Sequence, residues 1–171
     1  MPIRAQIRAE QERDHAAVHT LNAAVFETPA EADLVERLRR EARPLVSLVA
    51  EHEGTVVGHI LFTPVELPHH PELRLMALAP MAVAPAHQSR GIGSALVREG
   101  LERCRHLGTD AVIVLGHPDY YPRFGFIPAS RWGLRSPYDA PDEAFLALEL
   151  CPGALDGKSG VVEYHRAFEE V

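Results

Sequence analysis

A chain of 171 residues, 46% hydrophobic and 24% charged, suits one globular domain (residues 1–171) with a sizeable core, and its net charge of −7 argues against wholesale nucleic-acid binding, which wants a basic face. Acidic balance is compatible instead with a cationic partner such as an amine. No apolar run approaches bilayer length, and the N-terminus has no signal-like apolar region, so a cytoplasmic protein without membrane contact is expected. The two cysteines, Cys104 and Cys151, fall in different segments without metal-type spacing, so neither a disulfide framework nor a metal site is expected.

Residues 3–9 alternate apolar and polar, with Ile3, Ala5 and Ile7 on one face, and predict a first strand. From 14 to 26 the period becomes helical: Val18, Leu21, Val25 and Phe26 form a stripe, with Asp14 placed as a cap. Thr28-Pro29 breaks this helix, and a second over 30–41 turns Leu34, Val35 and Leu38 inward. Residues 45–50 and 56–62 read as a hairpin about Gly54, and Gly58 within the second strand predicts a bulge or a close backbone approach. His69-His70, between Pro68 and Pro71, lacks a third ligand at a recognisable spacing and reads as loop.

Residues 73–83 form the central strand, yet contain Pro80, which cannot donate to a ladder and belongs at a bulge or where pairing stops. The segment 94–107 predicts the best-defined helix, with Val97, Leu101 and Cys104 inward, Glu99 and Arg103 paired outward, and Gly108 as its C-terminal cap. Cys104 therefore reads as packing. Residues 111–115 are continuously apolar and β-branched, as in a strand covered on both faces. A helical turn over 120–124, a loop over 131–142, a strand over 144–150 and an edge strand within 161–168 complete the expectation.

Between the central strand and the following helix lies Gln88-Ser89-Arg90-Gly91-Ile92-Gly93-Ser94. Strand, glycine loop and helix N-terminus in that order make an anion site: backbone N–H groups converge, the dipole favours negative charge, and Arg90 adds a charged donor at the rim. Glycine spacing alone is equally that of a simple strand-to-helix turn. A Walker loop is excluded because the one lysine, Lys158, is remote, and a dinucleotide loop because Leu96 stands where its third glycine belongs.

Together with Met81-Ala82-Val83 before it and Tyr120-Tyr121-Pro122-Arg123-Phe124-Gly125-Phe126 after it, this loop resembles the pyrophosphate loop, Gln/Arg-x-x-Gly-x-Gly/Ala, of the GNAT superfamily of N-acetyltransferases. The resemblance runs across roughly the whole chain, and its latter part is similar to the bacterial YhbS-like branch. It implies an α/β (α+β) fold: a mixed, mostly antiparallel sheet with helices on both faces and central strands splayed to form an acyl-CoA cleft. It further implies acetyl-CoA as co-substrate, with its pyrophosphate on Gln88, Ser89, Arg90, Gly91, Ile92, Gly93 and Ser94 and its pantetheine arm along Met81, Ala82 and Val83. The acceptor would be a primary amine on a small molecule or protein, and a homodimer is compatible with the superfamily.

Tyr121 stands four residues before Gly125, where many of these enzymes carry the tyrosine that protonates the departing sulfur, and Tyr120 competes for the role. A phenol suits it, because its ordinary pKa near ~10 is close to that of a thiol. No base can be named: residues 75–83 contain no ionisable side chain, and Glu66, Glu72, His69 and His70 are not separable. In this superfamily the connection between the first two helices overhangs the acceptor, which makes Glu27 and Glu31 candidate amine contacts. The alternative reading is a non-catalytic module that senses acyl-CoA in the same cleft.

Overall fold

The computed structural model describes residues 4–171, so the Ile3 part of the first predicted strand lies outside the described residues. Chain order is β1 (Gln6–Ala9), α1 (His15–Val25), α2 (Ala30–Glu41), β2 (Val46–His52), β3 (Thr55–Val65), β4 (Leu75–Val83), α3 (Ile92–His106), β5 (Ala111–Leu115), β6 (Ile127–Pro128), β7 (Leu134–Arg135), β8 (Phe145–Glu149) and β9 (Gly160–Val161). Seven strands form one sheet in the order β1-β2-β3-β4-β5-β8-β6, and β7 and β9 form a separate parallel pair. Within the main sheet only β4 and β5 run parallel.

The periodicities place the helices because each has one apolar face to bury. Leu34, Val35 and Leu38 of α2 pack with Val18 of α1 on Val49 and Leu61 of the sheet. On the other face Ile92, Leu96, Val97, Leu101 and Cys104 of α3 pack on Leu48, Ile60, Phe62 and Met76. Gly58 combines both features expected of it. The β2–β3 register shifts beside it, and a Cβ there would come within 3.0 Å of Leu96 and 3.1 Å of Ile92. Its bare backbone lets α3 lie close to the sheet. Burial pushes the Cys104 thiol up to about 12, so it is a packing group rather than a nucleophile.

Two predicted details differ. Asp14 makes no side-chain cap on α1. Its carboxylate accepts from Arg8 at 2.7 and 2.9 Å and from the Gln11 N–H at 2.8 Å, because a 3-10 turn over Glu12–Asp14 precedes α1 and makes Asp14 the third residue of a capping box begun by Gln11. The Arg8 bond, with the Gln11 N–H, holds the Asp14 carboxyl down at about 2 against the burial that would raise it. At the other end of the chain, 161–168 reaches the main sheet only through one antiparallel bridge, Glu163 to Glu66 directly after β3, and adds no full strand to it. Gly160–Val161 instead pairs with Leu134–Arg135, while Arg166–Glu170 forms a 3-10 turn. Short apolar runs carry no signal of which edge they will join.

A polar string crosses the α1/α2 face. Arg39 donates to Glu10 at 2.6 and 3.3 Å, and the Ser47 hydroxyl donates to Glu10 at 2.8 Å. Ser47 thereby accepts from His59 Nε2 at 2.9 Å, which leaves Nδ1 to face the Asn22 amide at 3.4 Å. His59 is completely buried, and desolvation lowers it to about 4, so the string is held together by a neutral imidazole.

Candidate active site

The opening in the sheet follows from where β4 stops pairing. Leu75, Met76 and Ala77 lie opposite Ala111, Val112 and Ile113, and no later residue of β4 has a partner on β5. On its other side β4 keeps β3 to the end, as Met81 pairs with Ile60 and Val83 with Gly58. The register shifts between the pairs Ile60–Met81 and Phe62–Leu78, so the two residues Ala79 and Pro80 stand against Leu61 alone, a bulge at the position where proline removes a donor. β5 meanwhile turns to β8, with Val114 opposite Leu146 and Leu115 opposite Phe145. The parted strands leave the second half of β4 with one free edge.

At the mouth of this gap is a cleft of about 570 Å³ lined by Met81 and Val83 of β4, the loop residues Gln88, Ser89, Gly91, Gly93 and Ser94, and, opposite, Tyr120 and Arg123. Val25, the last residue of α1, and His87 complete the wall. The two glycines do different work. Gly91 precedes α3 with φ of +85°, a conformation in which a side chain is strained, although a Cβ there would touch nothing. Gly93 keeps space open: a Cβ would lie 3.2 Å from the Tyr120 hydroxyl and within 4 Å of Met81 and Val83. The fifteen-residue helix α3 thus begins at the cleft with its first-turn N–H groups directed there.

Other expected residues fall elsewhere. Ala82 and Ile92 are both buried at 2% exposure, and Ile92 belongs to the core under α3. Arg90 is exposed on the loop outside the lining set. Gln88 is exposed on the rim of the cleft, and its amide donates to the Val83 carbonyl at 3.0 Å, tying the loop to the end of β4.

The tyrosine pair divides. Tyr120 stands on the cleft wall with its hydroxyl 3.1 Å from Ser94 Oγ. Tyr121 lies beneath it in edge-to-face contact (centroids 5.1 Å apart), only 7% exposed and packed on Phe126. Its ring fills the space above Gly116, directly after β5, where a Cβ would come within 2.5 Å of it. Burial, with Tyr120 alongside, pushes the Tyr121 phenol up to about 12. Alternation and spacing could not separate the two, because both sit in one short turn.

Of the acceptor-side candidates, Glu27 is exposed, whereas Glu31 has one carboxylate oxygen buried without a hydrogen-bond partner among the described residues. His70 and Glu72 pair at 3.7 Å, and Glu72 also holds Lys158 at 3.1 Å, which makes this loop a surface ion-pair group. No helix among the described residues is long and apolar enough to cross a membrane.

A parted parallel pair with a glycine loop at its mouth is a cleft open to an extended ligand between two strands. The sequence profile of the acetyltransferase (GNAT) family matches residues 8–126. The chain is 37% identical over 163 residues to the uncharacterized N-acetyltransferase YhbS of Escherichia coli strain K12, covering 95% of this chain and 97% of that one. The crystal structure of Escherichia coli YhbS in complex with CoA superposes with a TM-score of 0.91 at 37% identity, over 99% of this chain and 94% of that one. A GNAT-family acetyltransferase from Brucella melitensis, in complex with acetyl-CoA, superposes at 0.80 and 34% identity, over 96% and 98%. The chain belongs to the acetyltransferase (GNAT) family, and at the level of that family it is an N-acetyltransferase.

Proposed function

We propose that this cleft binds acetyl-CoA and that the protein transfers its acetyl group to a primary amine. The observation that carries the reading is the loss of pairing between β4 and β5 after Ala77, with residues 88–94 closing the gap at its outer end. An extended pantetheine arm would lie along Met81 and Val83 like an additional strand, and its pyrophosphate would meet the N–H groups from Ser89 to Ser94. Gln88 acts indirectly, by fixing the loop to the Val83 carbonyl. The whole chain, 1–171, is read as one acetyltransferase domain, supported by similarity to YhbS over 95% of its length.

Acetyl transfer requires a neutral amine aimed at the thioester carbonyl: a C–N bond forms, the C–S bond breaks, and the sulfur takes up a proton. Tyr121 is the proposed donor of that proton. Support comes from its position against Gly116, at the end of β5 where the strands have separated, and from the proton its phenol carries at neutral pH; burial raises that phenol and makes it a weaker acid than a free tyrosine. The proton lost by the amine leaves to solvent and restores the phenol, so the balance closes without a dedicated base. Glu31 does not line the cleft, but its carboxylate oxygen, buried without a partner among the described residues, is the acceptor we propose for the N–H of an incoming amine.

The test is release of free thiol from acetyl-CoA across a panel of primary amines. Turnover on at least one amine is expected, with Tyr121→Phe lowering kcat by roughly a hundredfold while CoA affinity stays within about twofold. CoA binding without turnover on any amine would favour the sensing module instead. Unchanged kcat in Tyr121→Phe, with chemistry limiting, would remove the donor assignment.

A further inference from the structure

The cleft has a charged far wall that the loop motif does not account for. Arg123 lies over the Tyr120 ring with its guanidinium carbon 4.5 Å from the centroid, and its Nε donates to the Tyr120 carbonyl at 2.9 Å. Those two contacts hold the guanidinium over the ring and leave its terminal Nη donors without a partner among the described residues. The Tyr120 hydroxyl reaches Ser94 Oγ at 3.1 Å, so the same residue that seats the arginine touches the first turn of α3. Arg123, Tyr120, Ser94 and Gly93 all line the cleft. Arg123 is exposed, but in a chain of net charge −7 a guanidinium seated on a ring, with unused donors on the same cleft as a helix N-terminus, is suited to an anion.

We propose that Arg123, seated by Tyr120, closes on the pyrophosphate of CoA from the side opposite the glycine loop, so that the phosphates are held between backbone N–H groups and a guanidinium. This rests on the reading of the cleft as a CoA site. It also separates the paired tyrosines, placing Tyr120 at the phosphate end and Tyr121 at the thioester end. Arg98 supplies an internal control: it stacks on Phe124 at 5.0 Å from the same aromatic group, yet does not line the cleft.

Calorimetric titration of the wild type, Arg123→Gln and Arg98→Gln with CoA and with dephospho-CoA tests this. Arg123→Gln is expected to bind both ligands about tenfold more weakly, because both carry the pyrophosphate, while Arg98→Gln binds both like the wild type. The melting temperature of each unliganded variant should match the wild type, and Arg123→Lys should recover part of the loss. A loss confined to CoA would reassign Arg123 to the 3′-phosphate and overturn the proposal. Equal loss in Arg98→Gln, or none in Arg123→Gln, would overturn it in favour of diffuse surface charge. If the wild type binds neither ligand, the CoA reading itself fails, an outcome distinct from a wild type that binds and an Arg123 variant that binds equally well.

Discussion

Two polar groups sit on opposite sides of the sheet and are built in opposite ways. In the string Arg39–Glu10–Ser47–His59, the carboxylate, the hydroxyl and both imidazole nitrogens have partners, and the group lies largely out of solvent. At the cleft, among the described residues, Arg123 keeps free Nη donors, Gly93 is kept bare, and the end of β4 presents an edge that β5 does not pair. Both contain a serine, an arginine and a ring. What separates them is how far the hydrogen bonds close within the protein, since in the string only Asn22 Oδ1, beside His59, is buried without a partner among the described residues. A closed set stiffens the fold, whereas an open set is poised for a ligand.

The largest effect should come from opening the closed set. Glu10→Ala leaves Arg39 and Ser47 without their acceptor, and urea unfolding at pH 7 should show a loss of about 3–5 kcal/mol, typical of breaking a buried pair. CoA affinity of the remaining folded protein should hardly change, and a large change would mean that the two groups are coupled.

Acid should attack the same group. His59 has its folded pKa lowered to about 4 from an ordinary 6.5, so between those values the unfolded chain binds a proton that the folded one refuses. Stability is therefore complete above pH 6.5 and falls as pH drops toward 4, by about 3 kcal/mol in total. Replacing His59 with Gln should flatten that part of the stability-against-pH curve. If the slope persisted, its source would lie in another group.

The smallest effect belongs to the open set. Arg90 is exposed on the loop, and Arg90→Glu should weaken CoA binding by about tenfold, roughly 1.4 kcal/mol, with the loss shrinking as salt is added. Thermal stability should stay within a degree or two. An unchanged affinity would leave the loop's backbone as the main phosphate contact, with Arg123 carrying the side-chain charge.

Much of this was legible in the residues themselves. The stripes Val18-Leu21 and Leu34-Val35-Leu38 located α1 and α2, the run 111–115 located β5 to the residue, and Pro80 marked where β4 bulges. The loop motif brought Gln88, Ser89, Gly91, Gly93 and Ser94 to one wall of the cleft. Less legible were pairings made across long separations. Nothing near Asp14 indicates that Arg8 will claim it, and nothing near Gly160 indicates that it will pair with Leu134.

The sequence by itself determined the order of elements, the apolar faces and the chemistry of the glycine loop, because these depend on neighbours within a few residues and on periods of two and 3.6. Only the tertiary structure decided which of two adjacent tyrosines faces the cleft, which arginine stands opposite the loop, and that His59 is a buried neutral link. Those outcomes depend on which elements pack together and how much water they exclude. Burial and hydrogen-bond closure are properties of the assembled sheet, and no local pattern encodes them.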